Sequence, residues 1–289
     1  AASDVYKRQM ILNIDADHLD YFKNLDNIKK SFRKFAGQTS RLLVLNGDDQ
    51  NTLDAVDGVS LDKLLYGFGE HNDYRAANLT VSHGAVQHFD VIYQGETLTQ
   101  VTLNVPGKHN VLNALAAFAV AHHLGDSPAL IAENLEKFTG VHRRFEILGK
   151  PCGITVADDF AHHPTELTAT LTAAMEMGFK RVWAVFQPHT YSRTAMLLDD
   201  FAKALSIPDK VVMSEILAVR EENTYGIYTK DLAEKIPGSV WFNTFEEITG
   251  YICENAQPGD LVLTLGGGNV YMCAGMILKA LNAKEYHGQ

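Results

Sequence analysis

The sequence predicts an α/β protein of two domains, the second a doubly wound parallel sheet. Three observations carry this. From about residue 142 onward, short β-rich apolar runs alternate with helical patterns. Such alternation implies right-handed crossovers and a mostly parallel sheet. Upstream, an α/β-like stretch over 10–69 is followed by short β segments over 74–105. The 289 residues, 46% hydrophobic and 21% charged, can fill one or two cores at roughly 150 residues per domain.

Residues 1–9 (AASDVYKRQ) are polar and abut Met10–Ile14, which reads as a buried strand. A chain that starts directly on a core strand is expected to be a piece of a longer one. Arg41–Asn46 and Leu64–Gly69 read as further strands, and a helix capped by Asp26 runs to about Gln38. Over 74–105 the turn signals are His83-Gly84 and Gln94-Gly95, and Phe89, Val91 and Tyr93 alternate with Asp90 and Ile92. This approximates a half-buried period and predicts a small antiparallel sheet. Leu112, Leu115, Ala116, Ala119 and Val120 fall at helical spacing within 109–124, and Ser127-Pro128 opens the next helix.

The domain boundary is expected near Gly140–Phe145. Beyond it the strands are Ile154–Phe160, Val182–Gln187, Val211–Glu215, Val240–Phe242 and Leu261–Leu265. Helices are expected over 164–177, 194–205, 229–236, 245–255 and 270–281, with Thr244-x-x-Glu247 as a capping box.

With 25 Lys and Arg against 35 Asp and Glu, the net charge is −10. That argues against general nucleic-acid binding, which needs excess cations facing phosphates. Anions remain possible ligands of a local basic pocket. The 3 cysteines, Cys152, Cys253 and Cys273, form no CxxC pair and read as reduced thiols of a cytoplasmic protein. No apolar run approaches the roughly 20 residues of a membrane span, and residues 1–9 have no signal-peptide core.

In open parallel sheets ligands gather at the carboxyl ends of strands, and the polar clusters fall there. Asn13–Asp20 (NIDADHLD) could hold a divalent cation beside phosphate oxygens, or be a solvated turn. Pro106–Asn113 (PGKHNVLN) opens a helix, a setting for an anion or an ordinary cap, with Asn110 and Asn113 on one face. Gly140–Glu146 (GVHRRFE) carries paired arginines suited to a phosphate clamp or to surface ion pairs. Asp158–Glu166 (DDFAHHPTE) sets two carboxylates and two imidazoles at one strand end, which packing alone explains poorly. Gln187–Thr194 (QPHTYSRT) follows the next strand; His189 and Arg193 could hold a carboxylate, and Thr194 could be a helix cap. Gly266–Asn269 (GGGN) only partly resembles a dinucleotide loop, because the third glycine would fall at Tyr271. No G-x-x-x-x-G-K-[ST] occurs in these residues.

Taken in order, NIDADHLD, PGKHNVLN, GVHRRFE, DDFAHHPTE and QPHTYSR resemble the Mur ligases of bacterial cell-wall synthesis, over about residues 10–285. The resemblance implies the later part of a central ATPase domain over 10–141 and a Rossmann-like amino-acid-binding domain over 142–289. It leaves 1–9 unmatched, and it places the P-loop and the UDP-binding domain outside this chain. It further implies an ATP-dependent ligase, helped by Mg²⁺, that couples L-alanine to UDP-N-acetylmuramate through an acyl phosphate. No turnover is expected from this chain alone.

Carried over residue by residue, His18 would be a Mg²⁺ ligand, and Asn113, with Asn110, would face adenine. Arg144 and Arg143 would contact ATP phosphates across the interdomain cleft, and Asp159 would approach the ribose or a nearby water. His162, His189 and Arg193 would orient the alanine and the acyl centre. Phe160 stands where some relatives carry Tyr and Thr190 where some carry Arg, so neither of those roles transfers. The family's ligase for recovered murein tripeptide shares a DDFAHHPT-like segment. QPHTYSR and Arg220–Asn223 favour the alanine branch. A non-catalytic nucleotide-binding module and a dinucleotide oxidoreductase are the competing readings. The oligomeric state is not readable from the sequence.

Overall fold

The computed structural model describes residues 6–82 and 86–287. The expected turn at His83-Gly84 lies outside them. The chain forms two compact units, Ala1–Thr139 and Gly140–Gln289.

The first unit runs β1 (Tyr6–Ile11), α1 (Leu19–Phe22), α2 (Leu25–Gly37), β2 (Thr39–Asn46), α3 (Gln50–Ala55), β3 (Asp62–Gly67), β4 (Tyr74–Val81), β5 (Gln87–Tyr93), β6 (Glu96–Leu103), α4 (Lys108–Leu124) and α5 (Pro128–Glu136). Its strands form a six-stranded sheet in the order β1-β2-β3-β4-β5-β6. The pairs from β1 to β4 are parallel, and β4–β5 and β5–β6 are antiparallel. The antiparallel strands therefore extend the parallel sheet instead of standing apart. The junction is the pairing of Tyr66 with Tyr74 and of Gly67 with Arg75. Both tyrosines are buried in one cluster with Val111, Leu115 and Phe118 of α4, so one helix covers both halves of the sheet. On the opposite face Ile11, Leu43 and Leu45 pack with Ile28 of α2 and Ala55 of α3. Val44 belongs to the first cluster and its neighbours Leu43 and Leu45 to the second, as expected of a strand covered on both faces.

Several boundaries differ from the sequence reading: β3 runs Asp62–Gly67 and stops short of Gly69, and β2 begins at Thr39. β1 starts at Tyr6 and ends at Ile11, so Leu12–Ile14 belong to the loop. The cap of α2 is Asn24, whose side chain accepts from the Asn27 N–H at 3.0 Å, and Asp26 lies inside the first turn.

The second unit runs β7 (Glu146–Gly149), a 3-10 turn at Pro151–Gly153, β8 (Thr155–Asp159), α6 (Pro164–Glu176), β9 (Val182–Phe186), α7 (Tyr191–Met196), α8 (Leu198–Leu205), β10 (Lys210–Ser214), α9 (Thr229–Ala233), β11 (Val240–Phe242), α10 (Phe245–Asn255), β12 (Leu261–Leu265) and α11 (Tyr271–His287). The sheet order is β11-β10-β9-β12-β8-β7, all parallel except β7 against β8. β7 has no legible pattern, because Ile147 in its middle is exposed.

Apolar residues line both faces of this sheet. Ala184, Phe186, Leu171 and Phe201 pack on one face, and Trp183, Val185, Ile248 and Ile277 on the other. Fully burying side chains of this size contributes about 1.5–3 kcal/mol each. The helix expected from 194 starts at Tyr191. Thr190 caps it by accepting from the Arg193 N–H, while Thr194 lies inside, buried, its hydroxyl donating to the Thr190 carbonyl at 2.7 Å.

The chain passes from β8 to β9, winds outward through β10 and β11, and returns to insert β12 between β9 and β8. Leu265 at the end of β12 pairs with Asp159 on one side and Phe186 on the other. The loops leaving these three strands are thus side by side at the point where the strand order reverses, the usual ligand position in such sheets.

Candidate active site

Three of those loops supply most of the polar clusters singled out in the sequence. Asp159 is buried, and both its oxygens accept backbone N–H groups, from Ala161 at 2.7 Å and Phe145 at 2.8 Å. Burial pushes its carboxyl above the ordinary value, against those two hydrogen bonds and the nearby Arg144 charge. Asp159 therefore shapes the strand end as well as lining it.

His162 sits in the next turn. Its Nδ1 donates to the Phe160 carbonyl at 3.0 Å and lies 3.3 Å from Glu166 Oε2. Its ring meets the His189 ring edge-on at 5.8 Å between centroids. His163, beside it, caps α6 by accepting from the Thr165 N–H at 3.3 Å, completing a capping box with Glu166.

His189 follows β9. Its Nδ1 is buried without a hydrogen-bond partner. Burial, then the charges of Arg193 and His162, hold its pKa below the ordinary imidazole value. Thr190, next along, has φ 66° and ψ 145°, a costly conformation for a β-branched residue. Two bonds hold the segment: Thr190 N–H donates to the Leu217 carbonyl and Leu217 N–H to the Pro188 carbonyl, both at 2.9 Å. Arg193 lies in the first turn of α7, whose Ser192 donates through N–H (2.8 Å) and hydroxyl to the Glu221 carboxylate. His162, His189 and Arg193 are thus brought together.

The two arginines are placed differently. Arg143 is half-buried, and its Nε donates to buried Asp158 at 2.9 Å, while its terminal nitrogens donate to the Gly266 and Gly268 carbonyls at 2.8 and 3.3 Å. Arg144 is exposed, its guanidinium 5.6 Å from the centre of the Phe160 ring. The Gly266–Asn269 loop is no dinucleotide loop: its carbonyls serve Arg143, and Asn269 pairs with Gln187.

In the first unit the loop after β1 is tied down by Asp49, which accepts from the Ile14 N–H at 2.9 Å, and by Asn51, which donates to the Ile14 carbonyl at 2.9 Å. This loop presents His18 in a left-handed conformation at the start of α1, its side chain exposed and its Nε2 3.7 Å from Asp17 Oδ2. Among the described residues no group of three or more His, Cys, Asp or Glu is placed to hold a metal ion. The residues therefore do not form a protein cage. His18, being exposed, is the residue here that could donate to a cation brought by a ligand.

At the start of α4, Asn110 donates to the Pro106 carbonyl at 2.7 Å, closing the helix entry. Asn113 is exposed one turn on, 3.4 Å from Asn110 Oδ1. Buried Gln87 holds the approach by donating to the Val105 and Gly107 carbonyls.

Sequence reasoning missed one cluster. Asp48, after β2, accepts from the Phe68 and Gly69 N–H groups and from Asn72 Nδ2, and His71 Nε2 donates to the Gly47 carbonyl at 2.9 Å. Its signal was present, as Asn46-Gly47-Asp48-Asp49 directly follows a strand.

With the geometry in view, comparison with known proteins places the fold. The Mur ligase middle-domain family matches residues 5–121, and the Mur ligase glutamate-ligase-domain family matches 143–268. The chain belongs to the Mur ligase family. The UDP-N-acetylmuramate–L-alanine ligase of Caldanaerobacter subterraneus is 44% identical over 268 residues, covering 91% of this chain and 58% of the relative. That of Agathobacter rectalis is 45% identical over 276 residues, covering 93% and 60%. The solved UDP-N-acetylmuramate–alanine ligase of Thermotoga maritima superposes with a TM-score of 0.77 at 28% identity, over 96% of this chain and 60% of that one. The chain spans about 60% of the length of the relatives it matches.

Proposed function

We propose that this chain is part of an ADP-forming ligase that joins L-alanine to UDP-N-acetylmuramate in peptidoglycan synthesis, in the cytoplasm. The supporting observation is the gathering of His162, His189 and Arg193 at adjacent strand ends, in a chain whose relatives bear that ligase's name. Such a ligase activates the lactyl carboxylate as an acyl phosphate at the expense of ATP, and the alanine amine then displaces phosphate and gives up a proton.

The second step needs a neutral amine and an anchored amino-acid carboxylate. His189, kept neutral to lower pH than an ordinary imidazole, accepts the amine's proton. Arg193 offers a fork for the carboxylate, and His162 fixes the His189 ring by edge-on packing. For nucleotide contacts the candidates are, in the first unit, Asn113, with Asn110 holding the helix entry, and, taken separately in the second, Arg144 for a phosphate and Asp159, which fixes its strand-end turn. His18 would be one ligand of a Mg²⁺ ion, which when bound would neutralise phosphate charge.

The test is amine-dependent phosphate release from ATP and UDP-N-acetylmuramate, by a ligase containing these 289 residues joined to a UDP-binding domain and a P-loop segment. L-alanine is expected to drive it and murein tripeptide to fail. Preference for the tripeptide would assign the chain to the recycling branch.

A further inference from the structure

The turn carrying Arg144 is held unusually firmly. Arg143 and Phe145, on either side of it, both have positive φ, 59° and 47°, which is costly for residues with side chains of this size. A carboxylate captures the N–H of each: Glu146 accepts from Arg143 at 2.9 Å and Asp159 from Phe145 at 2.8 Å. The Arg143 carbonyl in turn accepts from the Phe160 N–H at 2.8 Å.

The Arg143 side chain adds the second half. Its guanidinium lies between the Phe160 and Tyr271 rings, 4.9 and 4.8 Å from their centres. Its nitrogens reach Asp158 and the Gly266 and Gly268 carbonyls, and Asp158 is itself held by the Thr264 hydroxyl. Between those carbonyls lies Gly267, where a methyl group would come within 3.1 Å of the His162 ring. The loop therefore rests on His162. A carboxylate, two carbonyls and two ring faces around one group require a planar, delocalised cation with a fork of donors, which lysine does not provide.

We propose that Arg143 is a positioning residue. Its guanidinium locks the Gly266–Gly268 loop against the His162 ring and fixes the turn that presents Arg144 to a phosphate-bearing ligand. The role of Arg144 rests on the ligase reading, whereas the lock on His162 does not.

The test uses the 289-residue chain, isotope-labelled, as wild type, Arg143→Lys and Arg144→Lys. Amide hydrogen exchange is read at Gly266, which donates to the Asp159 carbonyl, and at Phe160. Exchange at Ile248 and Ile252, buried in α10, reports whether the unit stays folded. The His162 ring signals are read alongside. Arg143→Lys is expected to speed exchange at Gly266 and Phe160 at least about tenfold and to shift the His162 ring signals, with α10 unchanged; Arg144→Lys should leave all of these as in wild type. An Arg143→Lys chain matching wild type at the loop would overturn the proposal. So would protection lost throughout the unit, which would make Arg143 a general stability element, or an Arg144→Lys chain disturbed as much as Arg143→Lys. None of these outcomes depends on ligase turnover, so failure of the activity and failure of the lock are separable.

Discussion

Gln187 and Asn269 close on each other from two loops. Gln187 Nε2 donates to Asn269 Oδ1 at 2.9 Å, and the Asn269 N–H donates back to Gln187 Oε1 at 3.1 Å. The pair ties the loop after β12 to the end of β9, where His189 follows. Asn269→Ala removes one bond of the pair and leaves the Gln187 amide N–H unmet. A loss of about 1–2 kcal/mol in unfolding free energy is expected, measurable as a lower urea midpoint at unchanged slope. An unchanged midpoint would show the latch to be idle.

His189 supplies a pH prediction. Its folded pKa lies below the ordinary value because of burial and the charges of Arg193 and His162, opposed by Glu221. A depressed folded pKa means that the native state binds fewer protons than the unfolded chain near that pH. Its contribution to stability is therefore present above the unfolded value of about 6.5 and is lost as pH falls through the folded value. Ring titration by NMR should give a midpoint below 6.5, a reference value. A midpoint above it would contradict the assignment of His189 as the neutral base.

Glu221 connects to the same group. It accepts from both the N–H and hydroxyl of Ser192 at the start of α7. Glu221→Gln should weaken that cap and remove a charge that raises the His189 pKa. The His189 midpoint should then fall further, with the Ser192 amide exchanging faster. A rise in the midpoint would mean that the charge acts elsewhere.

Far from the site, Asp260 is buried and accepts from Arg181, from the Trp183 ring N–H at 3.0 Å and from the Gln257 N–H at 2.9 Å. Burial pushes its carboxyl up, but these bonds outweigh that and leave it below the ordinary value. Asp260→Asn removes the carboxylate charge facing Arg181, which keeps its bond to the Asn255 carbonyl, and should cost about 1–2 kcal/mol, read by thermal or urea unfolding. The wild-type contribution is present above the unfolded carboxylate value of about 3.9 and is lost as pH falls through the lower folded value.

The two asparagines of α4 should separate. Asn110 is committed to the Pro106 carbonyl, and Asn113 is exposed. Asn113→Ala is expected to weaken nucleotide binding with little change in stability, and Asn110→Ala to lower stability first. Calorimetry and unfolding on both variants check this, and equal effects on binding would remove the distinction.

Much of this was legible in the sequence because strand ends concentrate polar residues. DDFAHHPTE and QPHTYSR stand out, and the sheet order then sets them side by side. Strands such as Leu261–Leu265 and caps such as Thr244 with Glu247 were readable because their signals are local. What was not readable depends on distant partners. The adjacency of Arg143 to Gly266 spans 123 residues, so the structural role of Arg143 was not readable beside the phosphate role assigned first to Arg144. Thr190 as the cap of α7 was hidden because its positive φ is imposed by the Leu217 segment. The junction of β3 with β4 rests on two residue pairs beneath α4, which no local pattern announces.

The most direct measurement is the rate of L-alanine-dependent phosphate release by a ligase containing these residues, a UDP-binding domain and a P-loop segment, compared with its His189→Ala and Arg193→Ala variants. The strand-end site predicts turnover for the unmodified enzyme. For His189→Ala it predicts a fall of about 100-fold or more, as for loss of a proton acceptor, and for Arg193→Ala a clear fall through loss of the carboxylate fork, with the unfolding midpoint kept in both. Variants that release phosphate at the unmodified rate, or an unmodified enzyme without any alanine-dependent release, would contradict it.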